Sequence, residues 1–224
     1  LNDGEISVSS TFYQLKEGMD IEAEFFVSSA SSEIINYNDT QYFIDSGYGI
    51  SDDNVFPDNN LIISEPMVFR GIVVRQITFI PFTYNLDTKV LVTFEDIEIN
   101  IDEIQSNLNL DYNEIKLSRT FEPLFESFII NYERSNRDED YQSPSILYIC
   151  GGSSQDYAYL DLLVDWRRKQ GYQVTTVNLT EIGGNSTTYV KNYIEDAYYN
   201  WENPPEFISL IGDASGSGSV PTVP

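Results

Sequence analysis

The sequence contains no histidine and only one cysteine, Cys150. Without histidine, the serine–histidine and cysteine–histidine pairs of hydrolases cannot form within these residues, because the proton-accepting base is missing. A zinc site of the usual kind is not expected either, since its ligands are cysteine and histidine. A single cysteine also excludes an internal disulfide. We therefore expect no catalytic serine–histidine or cysteine–histidine pair in this chain.

Positive charge is scarce as well. The chain has 12 lysine and arginine residues against 36 aspartate and glutamate residues, a formal net charge of −24. Such a surface stays well solvated, repels nucleic acid and anionic membranes, and attracts cations such as calcium. No stretch is long and apolar enough to span a bilayer. The start, "LNDGEISVSS", lacks the charged and apolar regions of a signal peptide, which predicts a mature form or a fragment.

Residues 1–105 are predicted to form an all-β domain. "DIEAEFFV" and "EINIDEI" alternate acidic and apolar residues, the period-two pattern of half-buried strands. Asn85 to Thr88 is predicted to be a hairpin turn between strands at about 72–80 and 89–101. These features favour an antiparallel, sandwich-like arrangement.

Residues 106–144 are predicted to be a docking segment followed by a charged linker. "TFEPLFESFIINY" is either one more strand or a short apolar docking segment. "ERSNRDEDYQSPS" is polar, with no apolar period, which is typical of a linker. It carries Arg134 and Arg137, which an arginine-specific or trypsin-like protease could cut.

Residues 145–224 change to alternating strands and helices. "SILYIC", "YQVTTVNL" and "EFISLIG" are predicted strands, separated by the helices "YAYLDLLVDWRRKQG" and "STTYVKNYIEDAYYNW". Asp156 or Ser154 is expected to cap the first helix, and Tyr189 to lie on the inner face of the second. Strand–helix–strand–helix–strand with short connections predicts parallel strands joined by right-handed crossovers.

Ligands of such sheets gather at the carboxyl ends of the strands. Gly151-Gly152 and Gly212-Asp213 both fall at that edge. Asp213 either caps the next turn or serves as a ligand there. "GDASGSGS" lacks the lysine of a phosphate loop, which favours a mobile loop. Cys150, inside an apolar run, is expected to be a buried core residue.

Both halves resemble gingipain-like cysteine peptidases. "LVDWRRKQGYQVTTVNLTEIGG", "TTYVKNYIEDAYYNWENPPEFISLIGDAS" and "VPTVP" resemble the opening of their catalytic domain. "ISEPMVFRGIVVRQITFIPFTYNLDTKVLVTFEDIEINI" resembles the later part of their pro-region, and "FEPLFESFIINYE" the segment that ends it. The resemblance covers roughly residues 60–224.

This resemblance implies a β-sandwich-like pro-domain followed by the first βαβαβ portion of a caspase-like α/β/α sheet. The family's cysteine and histidine lie beyond the Gly-Asp strand, and Cys150 does not match the nucleophile. The resemblance therefore implies a truncated, inactive piece of a secreted or cell-surface bacterial-type peptidase, with the β-domain acting in latency and folding. Some members process secretion cargo rather than degrade proteins.

The resemblance also implies a calcium ligand at Asp213 and a processing site at Arg134 or Arg137. The implied partners are the rest of the catalytic domain and, for the full-length enzyme, peptide or protein substrates. Two other interpretations stay open from the sequence. One is a non-catalytic binding module made of an acidic β-sandwich and a flavodoxin-like unit. The other is an intact regulatory protein built from the front half of a peptidase.

Overall fold

The computed structural model describes residues 8–36, 46–108, 116–137, 140–213 and 215–221. The chain divides into two compact units. The first contains residues 1–112 and 124–133, and the second contains residues 113–123 and 134–224. The stretch expected to connect two domains is thus shared between the units, and its residues 109–115 and 138–139 lie outside the described part.

The first unit is built from two antiparallel sheets. In chain order its strands are β1 Ser9–Gln14, β2 Met19–Ile34, β3 Val55–Phe56, β4 Leu61–Ile63, β5 Met67–Phe69, β6 Ile72–Phe79, β7 Phe82–Asn85 and β8 Val90–Gln105. One sheet has the order β1-β6-β4, with β5 also paired to β6, and the other has the order β2-β8-β7-β3.

The two sheets pack face to face over an apolar core. Ile21 of β2 and Ile77 of β6 are buried in one cluster with Leu15. The ring of Phe25 on β2 meets the ring of Phe79 on β6 edge to face, with centroids 5.2 Å apart. Inward-facing apolar residues alternate with exposed ones along β2, as the sequence pattern indicates. The sandwich-like prediction is confirmed.

The hairpin turn lies where it was predicted, but the prediction of which strand precedes it was wrong. The side-chain oxygen of Asn85 accepts hydrogen bonds from the amides of Asp87 (3.0 Å) and Thr88 (2.8 Å), which closes the turn. However, the strand before the turn is β7, and the predicted strand at 72–80 is β6 in the other sheet. Pro81 lies at the point where the chain changes sheets.

A short helix, α1, spans Glu122–Phe128, so the strand alternative for this stretch is wrong. Pro123 is tolerated in its first turn, where a missing amide costs no helical hydrogen bond. Within the first unit, Phe125 of this helix is fully buried, and its ring centroid lies 5.7 Å from that of Phe69. Asn131, just after the helix, also exchanges two hydrogen bonds with the backbone of Gln14, at 2.7 and 2.9 Å.

The second unit contains a parallel sheet between two helices. Its elements are β9 Ser145–Cys150, α2 Ala158–Lys169, β10 Gln173–Asn178, α3 Thr187–Asn200 and β11 Phe207–Ile211. The strand order is β10-β9-β11, with both pairings parallel. β9 is buried along its whole length because it is the central strand. This confirms the predicted βαβαβ arrangement.

The helices cover opposite faces of this sheet. Leu160 and Val164 of α2 pack with one set of β9 side chains. Val190 and Ala197 of α3 pack with the other set, which includes the fully buried Leu147. Among the described residues, no helix combines the length and apolar character that crossing a membrane requires.

Two local predictions about these helices are wrong. Ser154 and Asp156 do not cap α2, because residues 154–156 form a separate turn of 3-10 helix and the cap position is Tyr157, without a side-chain cap. Tyr189 is not on the inner face of α3, since 47% of its surface is exposed. Its ring instead covers Gly183 and Gly184, where a β-carbon would come within about 3 Å of it.

Candidate functional site

The carboxyl ends of the three parallel strands define the candidate site. Cys150 pairs in register with Asn178 of β10 and with Ile211 of β11, so the three strands end side by side. Gly151 follows the central strand, and Asp213 comes two residues after β11. The structure therefore brings the predicted glycine and aspartate positions to the same edge of the sheet.

Backbone hydrogen bonds join the two ends of the "GDASGSGS" stretch, of which residues 212–213 and 215–219 are described. The amide of Asp213 donates to the carbonyl of Gly218 (3.1 Å), and the amide of Val220 donates back to the carbonyl of Asp213 (3.0 Å). Val220 is 3% exposed and belongs to the core beside α3. Burial of this valine anchors the returning chain, while the mobility expected for the loop stays a prediction.

Close backbone contact explains the glycines on both sides of this turn. A β-carbon on Gly151 would lie 2.4 Å from the carbonyl oxygen of Gly218, and one on Gly212 would lie 2.3 Å from the same atom. Both distances are far shorter than a carbon–oxygen contact allows, so only glycine fits. These glycines serve backbone packing, a role that accounts for them without a bound phosphate.

Asp213 is exposed, and its backbone forms an isolated bridge with Ser219. In the described part of the chain, no group of three or more acidic, cysteine or histidine residues is placed to hold a metal ion. Calcium takes six to eight oxygen ligands. The described residues therefore do not complete a calcium site, and Asp213 would supply one carboxylate among several.

A polar group at the same edge was missed in the sequence. The side-chain amide of Asn178 donates to Gln155 (2.8 Å), and its oxygen accepts from the amides of Thr180 and Glu181, both at 2.9 Å. The Glu181 carboxylate in return accepts a hydrogen bond from the backbone amide of Asn178 at 2.7 Å. An asparagine ending a strand is a recognisable turn signal, which could have identified this group. Its members hold the turn after β10.

Cys150 is a buried thiol of the core. It is fully buried and unpaired. Burial, with a smaller contribution from the negative charge of Glu181, raises the pKa of the Cys150 thiol above its usual value. A thiol that resists ionisation is a poor nucleophile. The prediction of a core residue is confirmed.

Arg134 and Arg137 are both exposed and lie outside regular secondary structure. The Arg137 guanidinium lies 4.0 Å from a carboxylate oxygen of Asp140. The Ser135 hydroxyl donates to the same carboxylate, and the Tyr141 hydroxyl oxygen lies 2.9 Å from the carbonyl oxygen of Ser135. A protease can reach such a segment, because exposed, irregular backbone fits an active-site cleft most easily.

Two buried carboxylates were also missed. Glu122 and Glu206 are each only 5% exposed. The Tyr141 hydroxyl donates to Glu122 at 2.5 Å, and the Ser118 hydroxyl donates to Glu206. Neither carboxylate lies in a pattern that predicts burial, since their partners are distant in sequence.

The chain thus consists of a β-sandwich-like unit and a parallel α/β unit, with a charged segment that carries the exposed Arg134 and Arg137 between their main parts. The propeptide model of family C25 matches residues 5–138, and the model described as "Peptidase family C25" matches residues 139–224. The chain therefore belongs to peptidase family C25. The two matches meet between Asp138 and Glu139, one residue beyond Arg137.

Similar proteins agree with this assignment. Gingipain R2 of Porphyromonas gingivalis is 23% identical over 217 residues, covering 92% of this chain and 28% of that protein. Gingipain R1 of Porphyromonas gingivalis is 22% identical over 174 residues, covering 75% of this chain and 17% of that protein. This chain thus spans well under a third of the length of these relatives.

One solved structure is also similar, the "Complex of Porphyromonas gingivalis RgpB pro- and mature domains". It is 19% identical, with a TM-score of 0.41, and the match covers 57% of this chain and 72% of that chain. The family matches favour the gingipain-like interpretation over the non-catalytic binding module. The chain is a gingipain-like propeptide followed by part of a catalytic region, and its sequence holds no cysteine–histidine pair.

Proposed function

We propose that this chain is the latency-conferring pro-region and the first part of the catalytic domain of a cysteine endopeptidase. The catalytic cysteine and histidine would be supplied by a longer protein, and the first unit would assist folding and keep that enzyme latent. The remaining catalytic domain is the proposed partner, and peptides or proteins are the proposed substrates. Degradation of proteins and processing of secretion cargo are both compatible with this role.

The observation that carries this proposal is the boundary between the two family matches. The propeptide match ends at residue 138 and the peptidase match begins at residue 139. Arg134 and Arg137 lie just before this boundary, exposed and outside helices and strands. A cut there would separate the two parts at the family boundary, so we propose these arginines as the processing site.

The experiment uses the natural full-length protein. After activation, N-terminal sequencing of the catalytic part should give a start between Ser135 and about Ser145. Changing Arg134→Gln and Arg137→Gln together should block the cut and keep peptide hydrolysis at the latent level. Lys169→Gln removes an exposed positive charge elsewhere and should activate normally. Full activity with an uncut junction would refute the processing role.

The peptidase assignment has its own test. Cysteine-directed inhibition should abolish hydrolysis by the full-length protein, whereas this 224-residue chain alone should show none. A downstream gene sequence without a cysteine and a histidine, each at the end of a later apolar strand, would overturn the assignment.

We also propose that Asp213 contributes one carboxylate to a calcium site whose other ligands come from the longer protein. Its exposed position at the carboxyl edge of the sheet supports this role. Calcium titration of the full-length protein should raise its melting temperature, and Asp213→Asn should weaken that rise. Asp161→Asn, on the exposed surface of α2, is the matched control. A rise unaffected by Asp213→Asn would remove this residue from the site.

Export to the cell surface or beyond is the proposed location. Support comes from the acidic composition and from the gingipain relationship. Fractionation of the source organism with an antibody to this chain would test it. Accumulation of the mature enzyme in the cytoplasmic fraction would argue against export.

A further inference from the structure

Residues Lys116–Glu122, which we call the strap, lie on the pro-region side of the proposed cleavage site. The propeptide match includes them, since it extends from residue 5 to residue 138. By contacts, however, the strap belongs to the second unit, which combines residues 113–123 with residues 134–224. The family boundary and the physical boundary therefore disagree over this segment.

Backbone hydrogen bonds attach one end of the strap. The amide of Leu117 donates to the carbonyl of Asp140, and the amide of Gln142 donates to the carbonyl of Leu117, both at 2.9 Å. Together they form a parallel bridge between Leu117 and Tyr141. The partners of the strap here come directly after the proposed cleavage site.

A buried carboxylate of the second unit binds the middle of the strap. Glu206, just before β11, accepts a hydrogen bond from the Ser118 hydroxyl at one oxygen. Its other oxygen accepts from the Thr120 hydroxyl at 3.3 Å. Ser118 and Glu206 are each 5% exposed. Because a carboxylate buried this deeply needs hydrogen-bond donors, removal of the strap would leave Glu206 without these two.

Aromatic contacts attach the other end. The Phe121 ring stacks on Phe207 of β11, with centroids 5.4 Å apart and an interplanar angle of 29°. The Arg119 guanidinium lies 4.1 Å above the centroid of the Tyr141 ring. The Tyr141 hydroxyl then donates to Glu122 at 2.5 Å. Burial and this hydrogen bond raise the pKa of the Tyr141 hydroxyl, so the tyrosine stays neutral and donates.

We propose that the strap is an integral part of the peptidase fold, supplied by the pro-region and retained by non-covalent contacts after the chain is cut. A cut after Arg134 or Arg137 breaks none of the contacts described above, since every partner lies at residues 140–142 or 206–207. Departure of the pro-region would require the strap to leave Glu206 and Phe207. Retention of the strap in the natural enzyme rests on the proposed processing, whereas the contacts of the strap do not depend on it.

The test uses the full chain with the recognition sequence of a site-specific protease inserted after Arg137. Because the cut is engineered, its result does not depend on whether nature cleaves at these arginines. After complete cleavage, the two fragments should elute together from a sizing column at the volume of the uncut chain. Backbone amides of the strap and of Gln142 should keep their slow hydrogen exchange after the cut.

Paired substitutions then identify the strap as the attachment. Ser118→Ala with Phe121→Ala removes a donor to Glu206 and the ring on Phe207. It should raise the dissociation constant of the cut fragments by roughly 100-fold, the combined effect of a charged hydrogen bond and an aromatic stack. Ser153→Ala with Tyr159→Ala deletes an exposed hydroxyl and an 85% exposed ring, and should leave the constant unchanged.

Three outcomes would overturn the proposal. These are separation of the unsubstituted fragments after the cut, equal dissociation constants for both double variants, and loss of exchange protection in the strap while the fragments stay together. Should the Ser118 and Phe121 variant fail to fold before cleavage, the exchange measurement on the unsubstituted chain decides alone.

Discussion

Replacement of Gly151 by alanine tests the close backbone contact at the carboxyl edge of the sheet. The added methyl group would lie 2.4 Å from the oxygen of Gly218 and 2.6 Å from the oxygen of Ser219. Both atoms belong to the backbone, so no side-chain rotation can relieve the contact. The turn after Asp213 must move outward, and Val220 must partly leave the core.

The expected cost follows from these two effects. Overpacking of a rigid site costs about 2 kcal/mol, and partial exposure of a buried valine adds about 1 kcal/mol. We therefore expect Gly151→Ala to lower the free energy of unfolding by about 3 kcal/mol. With a urea dependence of about 1.5 kcal/mol/M, the unfolding midpoint should fall by about 2 M.

Tryptophan emission during urea unfolding is the assay. The two tryptophans of the chain, Trp166 and Trp201, both belong to the second unit, so their emission reports on the unit that carries Gly151. Gly218→Ala is the matched control, because a β-carbon there meets only the Ser154 hydroxyl, at 3.8 Å. It should change stability by less than about 0.5 kcal/mol. Equal midpoints for the two variants would refute the close-contact argument.

Two further predictions concern charge and burial. Arg75 holds the pKa of Asp20 below its usual value through two hydrogen bonds at 2.5 and 2.7 Å, so this stabilisation is complete at neutral pH and disappears as the pH falls through the lowered pKa. Asp20→Asn should lower stability by about 2 kcal/mol at pH 7 and flatten its decline below about pH 4, measured by calorimetry. Cys150 should react with iodoacetamide roughly 100-fold more slowly in the folded chain than in urea, measured by mass spectrometry.

Controls separate these effects from general destabilisation. Asp53→Asn removes an exposed carboxylate of the first unit and should leave the calorimetric pH profile unchanged. A profile for Asp20→Asn that matches the unsubstituted chain would contradict the role of the Arg75 pair. Stoichiometric alkylation of Cys150 in the folded protein, at the rate seen in urea, would contradict its burial.

The sequence predicted most of the regular structure, because period and composition are local properties. The apolar run of β9 indicated a strand with Cys150 in the core, and the alternation in β2 indicated a half-buried strand. The order of strands and helices then placed Asp213 at the carboxyl edge, through the parallel-sheet rule alone.

Contacts between distant residues could not be predicted in the same way. Ser118 and Glu206 are 88 residues apart, and neither has a sequence pattern that indicates the other. The turn after Asp213 was predicted to be a mobile loop because its glycines signal flexibility. The close approach of the Gly218 backbone to Gly151 and Gly212 could not be predicted, because Gly151 is distant in sequence. The helix α1 was open to a strand interpretation, since seven residues are too few to establish a period.

The separation between the strap and Glu206 has a consequence for synthesis on the ribosome. Ser118 is translated 88 residues before the carboxylate that accepts its hydrogen bond. At about 5–20 residues per second, Phe121 waits roughly 4–17 s for Phe207 to appear. During this interval the Phe121 ring of the nascent chain lacks its partner Phe207. We therefore expect a chaperone to bind the growing polypeptide at the strap.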